Sequence, residues 1–213
     1  MSTPNVIQNV WICRHGNRID FIDKSWEGDD PFLSPDGIVQ AQETGARLVG
    51  EGIQHIFASP FLRTVETAHH IATALGLTVK VEPGASEWMN EKWFPNRPVH
   101  IPVPDLVDRF GNVDPDYTPA VLPQHPETSE EAYARSGKAA RTVADAFEGD
   151  ILLVGHGHSV DGMARGLMGK ECEIHSGLCT LIKIARQNGT TTLELNGDSS
   201  HLTSGEQHSD RLI

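Results

Sequence analysis

"VWICRHGNRIDF", Val10 to Phe21, sets the problem. Val10 to Cys13 is a short uninterrupted apolar run, the pattern of a strand buried on both faces. The run stops at Arg14-His15-Gly16, and Arg14, His15 and Arg18 then fall within five residues. The surrounding chain is acidic: 17 Lys and Arg against 29 Asp and Glu give a formal net charge of -12 over 213 residues. Two arginines around a histidine at the end of a buried strand therefore mark a local positive pocket on an acidic body.

Moving outward, "LSPDGIVQAQETGARLVGEG" reads as a helix with Ser34 as N-cap, Pro35 in the first turn and Gly50 or Gly52 as the stop. His55 to Ser59 reads as a second strand, and "PFLRTVETAHHIATALG" as a helix closed by Gly76. Thr78 to Glu82 is a third strand. Thr128 with Glu131 forms a capping box that opens a long helix. Ile151 to Val154 is the most apolar strand, and "VDGMARGLMG" a helix after it. Two further strands meet at an Asn188-Gly189 hairpin turn.

Strands alternating with helices imply an α/β fold, a three-layer αβα sandwich whose central sheet is mostly parallel, with the hairpin as an antiparallel edge. Residues 88–124 follow no clear period and read as a cap-like insertion on a single domain spanning 1–213. Residues from about 196 to 213 read as a loose polar tail.

The bulk numbers exclude several classes. With 38% hydrophobic and 22% charged residues and a mean hydropathy of -0.31, the composition is that of an ordinary globular protein. No apolar run approaches the roughly 20 residues of a membrane helix, and "MSTPNVIQNV" lacks the features of a signal peptide. Cys13, Cys172 and Cys179 lack metal-ligand spacing and suit reduced thiols. A cytoplasmic protein is expected. A pI near 5.3 argues against a nucleic-acid partner.

In an open parallel sheet, ligands bind beyond the carboxyl ends of the strands. Those ends carry Arg14, His15, Asn17 and Arg18; Arg63, one turn into a helix; Glu87, after a short turn; and His156 and His158 in "VGHGHS". Three histidines, three arginines and a carboxylate suit phosphoryl transfer. Guanidinium forks neutralise the phosphoryl oxygens, imidazole can attack phosphorus, and a carboxyl group can protonate the leaving alkoxide. No phosphate-binding GxxxxGK[ST] loop, HExxH or paired CxxC is present, so no metal or other cofactor is called for.

"RHGNR", "SPFLRTVETA" and "VGHGHS" together resemble the histidine phosphatase, or phosphoglycerate mutase-like, superfamily. "VEPGASEWM", "IPVPDL" and "GLCTL" are similar to the branch holding the ecdysteroid-phosphate phosphatases and the suppressor-of-T-cell-receptor-signalling phosphatases. The resemblance runs from about Val10 to Leu195. It implies His15 as nucleophile, Arg14, Arg18, Arg63 and His156 as the phosphate pocket, and Glu87 as acid and base, with Glu91 as the alternative four residues on. Asn17 stands where many relatives carry glutamate, and His158 where mutases often have asparagine. Asn17, Trp88, Trp93 and His158 are candidates for the substrate pocket.

The expected function is a metal-independent phosphomonoesterase, a histidine acid phosphatase acting through phosphohistidine on a bulky or aromatic ester. The alternatives are a phosphoglycerate-type mutase or a catalytically silent module that binds phosphorylated ligands or a protein. The expected partner is a small-molecule or phosphoprotein phosphate ester, and a homodimer stays open.

Overall fold

Alternate residues of the first strand bury on opposite sides, and that divides the molecule into layers. The computed structural model describes residues 7–28 and 30–207. Within them β1 (Gln8–Arg14), β2 (Ile53–Ala58), β3 (Val79–Val81), β4 (Asp150–Gly155), β5 (Leu181–Gln187) and β6 (Thr190–Asp198) form one sheet in the order β3-β2-β4-β1-β5-β6. The pairs β1–β4, β2–β4 and β2–β3 are parallel, while β5 runs antiparallel to both β1 and β6. The antiparallel side is thus two strands wide, because the hairpin docks on β1 through its first strand.

The helices are α1 (Ile19–Ile22), α2 (Pro35–Leu48), α3 (Leu62–Leu75), α4 (Val103–Phe110), α5 (Ser129–Ala146) and α6 (Gly157–Met168). Trp11 and Cys13 pack with Leu48 of α2, Val65, Ala68 and Ile71 of α3 and Leu106 of α4. Val10 and Ile12, pointing the other way, pack with Ala140 and Val143 of α5 and Val160 and Met163 of α6. The fold is therefore three layers, with a core on each face of the sheet.

Local chemistry sets the helix ends as the sequence implied. Ser34 accepts from the Gly37 N–H, Thr128 and Glu131 form the reciprocal box, and Gly76 closes α3 in the left-handed region. Asn188 and Gly189, both at positive φ, make the hairpin turn. Residues 88–124, expected to be irregular, contain α4. Its Pro102–Pro104 start and Gly111 stop are legible helix boundaries, but at eight residues its apolar periodicity is too short to stand out. At the other end, β6 runs on through Asp198, and Leu202 buries against Leu33, Ala41 and Cys179. The polar stretch after 196 therefore packs against the body as far as residue 207, and the rest of the expected tail lies outside the described residues.

Candidate active site

Ladder hydrogen bonds continue past the strand ends and carry the chemistry with them. Arg14 pairs with Gly155 across β1 and β4. One step on, the His15 N–H donates to the Gly155 carbonyl at 3.0 Å, and the Ser59 N–H donates to that of Val154 at 3.0 Å. His15 and His156, each following a paired residue, end with ring centroids 5.3 Å apart. Both side chains are buried.

Gly16 turns the chain away from the sheet. A Cβ there would lie 2.7 Å from the Gly37 carbonyl oxygen, and one on Gly37 would lie 2.1 Å from that of Asn17. The loop therefore rests directly on the backbone of the first turn of α2, an approach only glycine permits. The Gly16 N–H donates to Thr67 Oγ1 (3.1 Å), that of Asn17 to Gln40 Oε1 (2.9 Å), and that of Ser34 to the Asn17 carbonyl (2.9 Å). Asn17 Oδ1 accepts from the Arg18 N–H, so Asn17 shapes the loop that carries Arg18.

His15 Nδ1 lies 2.8 Å from the Gly16 carbonyl, which holds the proton on that nitrogen and leaves the Nε2 lone pair available. Burial holds the imidazole well below its ordinary pKa, and Arg63, Arg14 and Arg18 push it in the same direction. It is therefore neutral at pH 7. His156 is lowered likewise, by burial first, then by Arg63 and His15. Its Nε2 sits 2.8 Å from Ser59 Oγ, and Arg63 Nη2 donates to its Nδ1 at 3.1 Å.

Arg63 is 2% exposed, stacks on Phe61 with its Cζ 4.5 Å from the ring centroid, and is pushed down to about 10 by burial. It nevertheless keeps its charge at neutral pH. Glu87 Oε2 lies 4.0 Å from Arg63 Nη2 and 3.6 Å from His156 Nδ1. Glu91 is exposed on the following turn, so Glu87 is the carboxylate brought to the histidines. Arg14 reaches the Ser176 carbonyl at 3.0 Å, and Arg18 is forked onto Asp20 at 2.9 and 2.5 Å.

Trp88, Trp93 and His158 form a column beside this group. Trp93 contacts Trp88, Trp88 stacks on His158, and His158 stacks on Tyr133 with centroids 3.9 Å apart. Trp88 Nε1 donates to the Glu127 carbonyl. His158 Nε2 lies 3.2 Å from the Ser129 carbonyl, so its partners lie in this column and at the start of α5.

Sequence reasoning missed the groups that hold these residues in place. Arg135 of α5 is buried, paired with Glu127, and donates to the carbonyls of Gly84, Ser86 and Glu87. It fixes the backbone of the turn that presents Glu87. Glu82 accepts from Gly84 N–H, Tyr117 Oη, Ala120 N–H and Val121 N–H, clamping residues 117–121 to the end of β3. A capped long helix gives no hint that one of its arginines turns inward. Among the described residues no group of three or more His, Cys, Asp or Glu side chains is placed to hold a metal ion. Among the same described residues no helix is long and apolar enough to cross a membrane.

The family model of the histidine phosphatase superfamily (branch 1) matches residues 10–199. The chain belongs to this superfamily. Histidine phosphatase relatives include an ecdysteroid-phosphate phosphatase of Drosophila melanogaster, 26% identical over 206 residues and covering 76% of this chain and 27% of that protein. Ubiquitin-associated and SH3 domain-containing protein A of Mus musculus is 36% identical over 168 residues, covering 70% of this chain and 26% of that protein. The chain thus spans about a quarter of the length of these two relatives. A probable phosphoglycerate mutase, GpmB, of Yersinia pestis is 28% identical over 204 residues, with 91% and 94% covered. Among solved structures, the ecdysone phosphate phosphatase of Bombyx mori in complex with tungstate matches with a TM-score of 0.74 at 25% identity, covering 89% of this chain and 93% of that one.

Proposed function

We propose that the protein is a metal-independent phosphomonoesterase in which His15 is the nucleophile. The observation that carries this reading is a buried, neutral imidazole, its Nδ1 proton fixed on the Gly16 carbonyl, set among three guanidinium groups. In the first step the His15 Nε2 lone pair attacks phosphorus and the ester P–O bond breaks. Glu87, in its acid form, gives its proton to the departing oxygen. In the second step Glu87 takes a proton from water as that water attacks phosphorus. The P–N bond breaks and inorganic phosphate leaves.

Arg14, Arg18, Arg63 and His156 hold the equatorial oxygens throughout, where charge is spread in a loose transition state. Arg63 is best placed for this, since its Nη2 already donates into the space between His156 and Glu87. The aromatic surface of Phe94, Trp88 and Trp93 suits a bulky or aryl ester, whether a small molecule or a phosphoprotein. The likeness to the Drosophila melanogaster ecdysteroid-phosphate phosphatase and the Bombyx mori ecdysone phosphate phosphatase supports the same reaction class.

The test is hydrolysis of an aryl phosphate by chelator-treated protein, wild type against His15→Ala. Turnover abolished by the substitution, together with an acid-labile phosphoryl adduct trapped on the wild type, is the expected result. Equal rates would remove His15 as nucleophile.

The likeness to a mutase of nearly the same length supports a second reading, in which the phosphoryl group is returned to the substrate rather than to water. Phosphoglycerate consumed without release of inorganic phosphate would establish it.

A further inference from the structure

Asp30 is a carboxylate fixed beside a phosphate-binding arginine, and the proposed chemistry gives it no task. Both its oxygens accept from the Leu62 N–H, at 2.9 and 3.0 Å, at the start of α3. Its Oδ1 lies 3.5 Å from Arg63 Nη1 and its Oδ2 4.0 Å from His100 Nδ1, a buried nitrogen with no hydrogen-bond partner. The side chains of Asp30 and His100 remain 16% and 20% exposed, so the pair lies at the surface rather than sealed below it. Arg63 therefore faces two ways. Nη2 points to His156 and Glu87, and Nη1, bonded to the same carbon, points to Asp30. Asp30 thus stands one guanidinium width from the side of Arg63 that faces His156 and Glu87.

We infer that Asp30 selects the leaving group, favouring esters whose leaving group is neutral or cationic and rejecting those that carry a second anion. The inference rests on the phosphate-ester reading above and names a substrate class within it. The charge distribution supports it. Arg18 is forked onto Asp20, Arg63 lies between Asp30 and Glu87, and the two histidines are neutral. Lys24, whose ammonium lies 3.3 Å from the Asp20 carbonyl, is exposed and screened by water.

Against this background a phosphate dianion finds its guanidinium partners. A carboxylate on the leaving group, lying beside the partly exposed Phe94 and His100, would meet the fixed charge of Asp30. The wall there is aromatic, with Phe94 and His100 packed on the buried Phe61 at 5.7 and 4.5 Å between centroids, and the cation stacked on it, Arg63, already faces Asp30 and Glu87. At separations of several ångströms and the dielectric of a partly exposed site, repulsion between two unit charges amounts to about tenfold in affinity. Phosphoglycerate, with its carboxylate next to the phosphate, is in the rejected class.

The experiment compares three para-substituted phenyl phosphates of closely matched leaving-group basicity: ethyl, aminoethyl and carboxyethyl. At low ionic strength the wild type is expected to turn over the carboxyethyl ester with kcat/KM about tenfold below that of the ethyl ester, and the aminoethyl ester at least as well as the ethyl. Asp30→Asn keeps an acceptor for the Leu62 N–H and removes the charge. It should narrow the carboxyethyl deficit to about twofold. Equal wild-type rates for the ethyl and carboxyethyl esters, or a deficit unchanged in a folded Asp30→Asn, would overturn the inference and leave the phosphatase reading standing. No turnover of any of the three by wild type would overturn both. The wild-type ordering holds its force even if the variant fails to fold.

Discussion

His15 and His156 are both buried, and both are held below the ordinary imidazole range by lost hydration and by Arg63. The sign of the consequence for stability follows directly. An unfolded chain protonates these histidines below about pH 6.5, while the native state keeps them neutral until their depressed pKa values are reached. Below that pH the unfolded state binds more protons, so stability falls with acid by up to about 1.4 kcal/mol per pH unit for each histidine. Denaturant unfolding from pH 7.5 down to 5 should show this slope, and His15→Asn should reduce it. An identical slope in the variant would mean that His15 does not contribute. At this scale His15, Arg63 and His156 were legible because each stands at the end of an apolar run. Asp30 and His100 were not, because isolated residues in loops of no clear period acquire neighbours only when the chain folds.

At the scale of elements, the turn bearing Glu87 is held from outside itself. The Arg135 guanidinium joins α5 to three carbonyls of that turn and to Glu127, which in turn accepts from the Met89 N–H. Removing one member of such a buried pair leaves its partner's charge uncompensated, at about 3–5 kcal/mol. Arg135→Met should therefore destabilise the fold by an amount in that range. In protein that remains folded it should lower kcat on an aryl phosphate by 10-fold or more, with a smaller change in KM, because it loosens the acid and leaves the arginines in place. A KM-only effect would show that Arg135 does not position Glu87. The strands and capped helices could be read in advance because period and caps are local signals. The second antiparallel pairing could not, since a hairpin's own pattern does not say which neighbour it will join.

At the scale of the whole molecule, an acidic body with net charge -12 carries its arginine cluster at the carboxyl ends of the parallel strands. Such a pocket focuses the field locally and draws small anions inward, even where the distant surface repels them. The αβα layering was legible from alternating elements, and residues 88–124 announced themselves only by lacking a period. Their attachment through Glu82 is a tertiary event, with a buried carboxylate that satisfies four donors, one from Gly84 and three from residues 117–121.

One consequence of the sheet order concerns time. His15 and His156 are 141 residues apart in the chain and meet only because β1 and β4 lie side by side in one register. Helices can form early from local signals, whereas a parallel pairing between distant segments must first close a long loop. On dilution from denaturant, helical circular dichroism should return before turnover of an aryl phosphate does, and turnover should appear together with protection of the β1 and β4 amides from exchange. Activity recovered in step with the first helical signal would mean that the two strands find each other sooner than their separation implies.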